Sequence, residues 1–187
     1  LEKLNDKIYI SPYSDPSHGP NAPALAYAKV KLGRQSIAKD QEFLKSLSSP
    51  KPRLDANKTL EFESFKELAK VSKDYDYFED PFINPKLMID IPHERFDLDE
   101  SVIDDELWKL KQVTTFVLKP SALGLGNTIE LIKLAKQLKK RVVISSTFES
   151  EQGHQTLAAL AAYSDMALGY REHHGLGTIS LLKAPLT

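Results

Sequence analysis

The sequence predicts an α/β protein built from parallel βαβ units. Short β-rich runs recur along the chain: AYAKVKL (26–32), VTTFVLK (113–119), RVVISS (141–146) and, more weakly, TISLL (178–182). Between them lie stretches whose apolar residues repeat at helical spacing. Strands that alternate with amphipathic helices pair in parallel, because each helix carries the chain back across the sheet.

Taken in order, the N-terminal stretch LEKLNDKIYISPYSDPSHGPNAP holds four of the eleven prolines and has no helical period. KIYISPY reads as one isolated strand and the rest as loop. TLEFESFKELAKVS (59–72) sets Leu60, Phe62, Phe65, Leu68 and Ala69 on one stripe. ESVIDDELWKLKQ (100–112) does the same with Val102, Ile103, Leu107 and Leu110, and NTIELIKLAKQLKKR (127–141) with Ile129, Ile132, Leu134, Ala135 and Leu138. Thr59 and Asn127 are N-cap types, and Lys139, Lys140 and Arg141 crowd a helix C-terminus, where the macrodipole favours cations. LAALAAY (157–163) reads as a closely packed helix. The glycines of LGLGNT read as a loop closing a βα unit, and the adjacent His173 and His174 as loop residues.

Composition narrows the function classes. The chain of 187 residues is 41% hydrophobic and 27% charged, as expected of one globular domain or one with a small appendage. The absence of cysteine excludes disulfide frameworks, thiol nucleophiles and thiolate zinc sites. A net charge of −1 gives no electrostatic footprint for nucleic acid or an anionic membrane. No apolar run nears the roughly 18 residues that a membrane span needs. No signal peptide is legible, so the expected compartment is the cytoplasm.

The informative residues are polar ones at predicted strand ends. In AYAKVKL, period two puts Lys29 and Lys31 on one face. RLDANK repeats the pattern with Asp55 and Asn57. Glu79 ends the aromatic run of DYFEDP, Asp99 precedes a predicted helix, Lys119 ends an apolar strand, and Ser145 and Ser146 end the next. From Lys31 to Ser145 these residues recur every 20 to 26 positions, about one compact βα unit each. Parallel barrels place their catalytic groups on that face. Each residue alone has a plainer reading, as a snorkelling lysine or a carboxylate capping a helix. Together, Asp55, Glu79 and Asp99 offer hard oxygen donors suited to Mg²⁺ or Mn²⁺. Asp90 and Asp97 compete for the third position. Lys31 and Lys119, four strands apart in a barrel, flank whatever the metal holds.

The stretches AKVKLGR, RLDANK, YFEDPF, LDES, VLKPSALG and ISSTFESEQGHQTLAALAA, in this order over about residues 26–182, resemble the o-succinylbenzoate synthase family of the enolase superfamily. The resemblance implies a modified TIM barrel, (β/α)7β, and Mg²⁺. It also implies syn-dehydration of 2-succinyl-6-hydroxy-2,4-cyclohexadiene-1-carboxylate to o-succinylbenzoate, a step of menaquinone biosynthesis. It assigns Lys31 as the acid/base catalyst, with Lys29 placed to bias its pKa. The LDES match selects Asp99 to join Asp55 and Glu79 as metal ligands. Lys119 becomes the lysine on the far face, stabilising the enediolate by charge and cation–π contact. Asn57, Ser145 and Ser146 fall beside the substrate or behind the ligands.

The family also carries an N-terminal capping domain, for which Leu1–Pro23 is too short. Residues 1–23 are therefore expected to be a remnant of that domain or a linker, 24–187 the barrel, and the sequence to omit segments of a longer chain. A racemase of N-succinylamino acids or a dipeptide epimerase of the same superfamily is the alternative reading. An inactive barrel fragment is the third.

Overall fold

Among the described residues, nine strands and five α-helices follow in this order: β1 Tyr9–Ile10, β2 Tyr13–Ser14, β3 Lys29–Lys31, α1 Ile37–Ser46, β4 Arg53–Asp55, α2 Phe62–Val71, β5 Tyr77–Glu79, β6 Phe96–Leu98, β7 Val113–Leu118, α3 Pro120–Leu123, α4 Leu125–Leu138, β8 Arg141–Ile144, α5 Glu151–Leu168 and β9 His173–His174. The computed structural model describes residues 9–10, 13–14, 27–47 and 50–177. TISLL lies outside them, as does most of the N-terminal stretch. The chain divides into two compact units, Pro12–Thr114 and Leu1–Ser11 with Thr115–Thr187.

In the first unit β2, β3, β4, β5 and β6 pair in that order, all parallel. Val30, Leu54, Phe78, Phe96 and Leu98 are fully buried apolar residues at alternate strand positions. Helix α2 packs its stripe here: the Phe65 ring lies 4.8 Å from the rings of both Phe78 and Phe82. The opposite strand face carries Lys29, Lys31, Arg53, Asp55, Tyr77, Glu79 and Asp97, because side chains alternate along a strand.

Helix α1 has little apolar content to announce it. It buries Phe43 and Leu44 and also Asp40, which accepts the Gly33 N–H at 2.7 Å while its second oxygen has no hydrogen-bond partner. Burial raises the Asp40 carboxyl, and the Gly33 bond only partly opposes it. A carboxyl raised on folding stabilises at low pH, and that contribution fades as pH rises through its folded value. Asp40→Asn should therefore gain urea midpoint relative to wild type between pH 4 and pH 7, and a constant gap across that range would refute this account.

Gly33, two residues beyond the end of β3, has φ +74°, and a Cβ there would collide with Thr59 Oγ1. Gly33→Ala should cost about 1–3 kcal/mol in chemical denaturation, from overpacking together with the left-handed backbone.

The stretch 100–112 is not the expected helix. It forms two short 3₁₀ turns, Glu100–Ile103 and Asp105–Leu107. The Asp104 side chain accepts the Glu106 N–H at 3.2 Å and so starts a new turn where a helix needs to continue. Neither expected N-cap acts as one. Thr59 donates to the Ala56 carbonyl and α2 begins at Phe62, while Asn127 lies inside α4, which starts from Gly124 at φ +81°. Gly126 is likewise helical. KIYISPY is not one isolated strand, since β1 pairs with β9 and β2 with β3.

In the second unit β7 pairs in parallel with β8, covered by α4 and α5. Lys139 closes α4 in the left-handed conformation, and Ser150 caps α5 by accepting the Gly153 N–H. His173 and His174 form β9 instead of a loop. Buried His174 accepts the Ile144 N–H on Nδ1 at 3.0 Å, which leaves Nε2 to donate to Asp165 Oδ1 at 3.2 Å. This ties β9 to β8 and α5.

Candidate functional site

Parallel pairing sets the site. Lys31 stands opposite Asp55, Asp55 opposite Glu79, and Glu79 opposite Asp97. One register level thus carries a lysine and three carboxylates on adjacent strands. The level below carries Lys29, Arg53 and Tyr77. Buried Arg53 donates to Asp76 at 3.2 Å, and its guanidinium lies 5.2 Å from the centre of the Tyr77 ring. This forms a floor under the ionic groups.

Asp55 is the node. Lys29 Nζ lies 2.8 Å from its Oδ2, and Lys31 donates to the same oxygen. Its Oδ1 accepts the Asn57 N–H at 2.9 Å. Asn57 Oδ1 in turn accepts from Lys31 Nζ at 2.6 Å, and Asn57 adopts φ +46° where the chain leaves β4. Burial works to raise the Asp55 carboxyl, but the two ammonium groups outweigh it and hold it below the usual range. Glu79 accepts from Lys29 at 2.5 Å. Burial and then the neighbouring Asp55 charge push Glu79 up to about 8. Burial works to lower Lys29, yet Glu79, Asp55 and Asp99 together raise it well above an ordinary lysine.

Asp99 follows β6 and makes no side-chain cap to the turn after it. Its charge acts on Lys29, Glu79 and Asp97. Asp80, which sequence reasoning passed over, is buried, accepts the Ser101 N–H at 2.8 Å and has Lys58 at 3.8 Å. Its only sequence signal is its position next to Glu79.

Among the described residues, no three His, Asp or Glu side chains form a ready ligand cage for a metal. Asp55 and Glu79 close on Lys29 instead. The donor set nevertheless fits a hard divalent cation. It consists of buried carboxylates, and neither oxygen of Asp97 nor Oδ1 of Asp80 has a hydrogen-bond partner. With all four ionised, Asp55, Glu79, Asp97 and Asp99 exceed Lys29 and Lys31 by two negative charges, which one such ion would balance; without it, burial and neighbouring charges push Glu79 and Asp97 upward.

Lys119, Ser145 and Ser146 belong to the second unit. Lys119 follows β7, half-buried, just before α3. Ser146 donates its hydroxyl to the Gly175 carbonyl at 3.0 Å, and Ser145 bridges to Gly175 through the backbone. A Cβ on Gly175 would stand 2.7 Å from Ser145 Oγ, so this pair is closely packed.

No protein-family model matches the chain. The o-succinylbenzoate synthase of Vibrio cholerae serotype O1 (strain M66-2) is 34% identical over 186 residues, covering 89% of this chain and 54% of that protein. The chain is homologous to the o-succinylbenzoate synthases. It spans about half the length of the curated relatives it matches. A mandelate racemase/muconate lactonizing protein from Herpetosiphon aurantiacus superposes with a TM-score of 0.77 at 18% identity, over 95% of this chain and 56% of that one. A dipeptide epimerase from Cytophaga hutchinsonii, solved with Mg and the dipeptide D-Ala-L-Val, gives 0.69 at 22% identity, over 92% and 54%. The chain therefore shares the parallel α/β fold of these proteins. No helix among its described residues is long and apolar enough to cross a membrane.

Proposed function

We propose that this chain carries the o-succinylbenzoate synthase reaction, syn-dehydration of 2-succinyl-6-hydroxy-2,4-cyclohexadiene-1-carboxylate, in the cytoplasm. The observation that supports it best is the registered Lys31–Asp55–Glu79 level, in which an amine held by Asp55 and Asn57 borders buried carboxylates. Asp55, Glu79 and Asp99 would hold Mg²⁺ or Mn²⁺, as the resemblance of RLDANK, YFEDPF and LDES to the synthases' motifs suggests. The ion, when bound, supplies positive charge to the substrate carboxylate as its α-proton leaves.

The chain's own residues do the proton chemistry. Lys31 Nζ, positioned by Asn57, removes the α-proton as the neutral amine and, as the ammonium so formed, returns that proton to the departing hydroxyl on the same side of the ring, releasing water. Loss of both from one face needs one base only. Lys29, bound to the same Asp55 oxygen, keeps a positive charge beside that amine. Lys119 supplies charge to the anionic intermediate without exchanging a proton.

The test is the appearance of the aromatic product on incubation with the cyclohexadiene substrate and Mg²⁺, its loss in chelator and its return with Mg²⁺ or Mn²⁺. Full activity in excess chelator rules out the metal reading. Lys119→Arg separates the lyase from a two-base racemase. It should retain measurable dehydration while abolishing solvent deuterium exchange at the α-carbon of an N-succinylamino acid. Equal loss of both reactions would make Lys119 a proton-transfer residue.

A further inference from the structure

We infer that Asp97 is a fourth carboxylate of the cation site, supplying negative charge to an ion held by Asp55, Glu79 and Asp99. This rests on the metal reading above and adds to it a residue outside the LDES motif.

Geometry carries the argument. β6 places Asp97 opposite Glu79, on the strand face away from Phe96 and Leu98. Its side chain is completely buried, and neither carboxylate oxygen has a hydrogen-bond partner. A structural aspartate normally spends its oxygens on backbone N–H groups or a cation, because burying them unpaired is heavily penalised. Asp55 and Asp80 do spend theirs so, on Asn57 and Ser101. Asp97 does not, and burial first, then the charges of Glu79, Asp80 and Asp99, push its carboxyl well above the usual range. A buried carboxylate on the strand face that carries Glu79, with Asp80 and Asp99 also near enough to repel it, is arranged for a positive partner. Lys29 and Lys31 are already engaged by Asp55, Glu79 and Asn57.

The test is Mn²⁺ binding by the full chain, followed by electron paramagnetic resonance of the free ion, for wild type, Asp97→Asn, Asp97→Ser and Asp55→Asn. Asp97→Asn should bind Mn²⁺ about tenfold or more weakly, the scale seen when groups supporting metal ligands are removed. The thermal midpoint of metal-free Asp97→Asn should stay at or above that of wild type, since the carboxyl makes no hydrogen bond for the substitution to break. A merely structural aspartate would lower that midpoint along with the affinity, and this outcome overturns the inference. So does unchanged Mn²⁺ affinity in both Asp97 variants; the serine variant decides the matter if the asparagine one does not fold. If wild-type protein itself binds no Mn²⁺, the metal reading fails as a whole, which differs from wild-type binding that is indifferent to position 97.

Discussion

Lys31→Ala is expected to lower the rate of aromatic product formation by about 10²–10⁴-fold, the usual worth of a positioned acid–base group. The expectation comes from how narrowly the amine is held. Lys31 ends β3, its side chain is 13% exposed, and its Nζ is fixed between Asp55 and Asn57 Oδ1 at 2.6 Å. Lys31→Arg should fare little better, because a guanidinium keeps the charge but does not release a proton near neutral pH. If Lys31→Arg retained wild-type turnover, the role of Lys31 would be electrostatic and the one-base mechanism would fail. Asn57→Ala is the finer probe. It leaves the amine in place but removes the acceptor that aims it, so kcat should fall while Mn²⁺ affinity holds.

What the sequence reveals and what it conceals follow from different physics. Period two within a strand is local, so Lys29 with Lys31 and Asp55 with Asn57 could be put on common faces without a structure. The spacing of βα units likewise brought Lys31, Asp55 and Glu79 to strand ends, where β3, β4 and β5 place them. Register is a relation between strands, and no local pattern announces that Asp97 meets Glu79. The lysines offered as chemistry at a ligand's edge turn out to be bound into the carboxylates themselves, which depends on side-chain reach across neighbouring strands. The stretch 100–112 misled because two 3₁₀ turns bury Val102 and Leu107 as well as a helix does, leaving Ile103 exposed. Helix α1 escaped notice because Asp40 sits on its buried side.

Asp55 is where stability and chemistry should fail together. One of its oxygens takes two ammonium groups and the other takes the Asn57 N–H that fixes the orienting side chain of Lys31. Asp55→Ala removes all three interactions and leaves Lys29 with Glu79 and Lys31 with Asn57. Breaking a buried ionic cluster by deleting one partner typically costs about 3–5 kcal/mol. Asp55→Ala should show a loss of that order in urea denaturation with chelator present, along with loss of product formation. Glu79→Gln makes the informative contrast. Glu79 accepts from Lys29 alone, which retains Asp55 as a partner, so Glu79→Gln should lose product formation and Mn²⁺ binding with a much smaller loss of metal-free stability. Equal destabilisation by the two variants would mean that the cluster shares its energy evenly. The assignment of Asp55 as the node that holds both lysines would then be wrong.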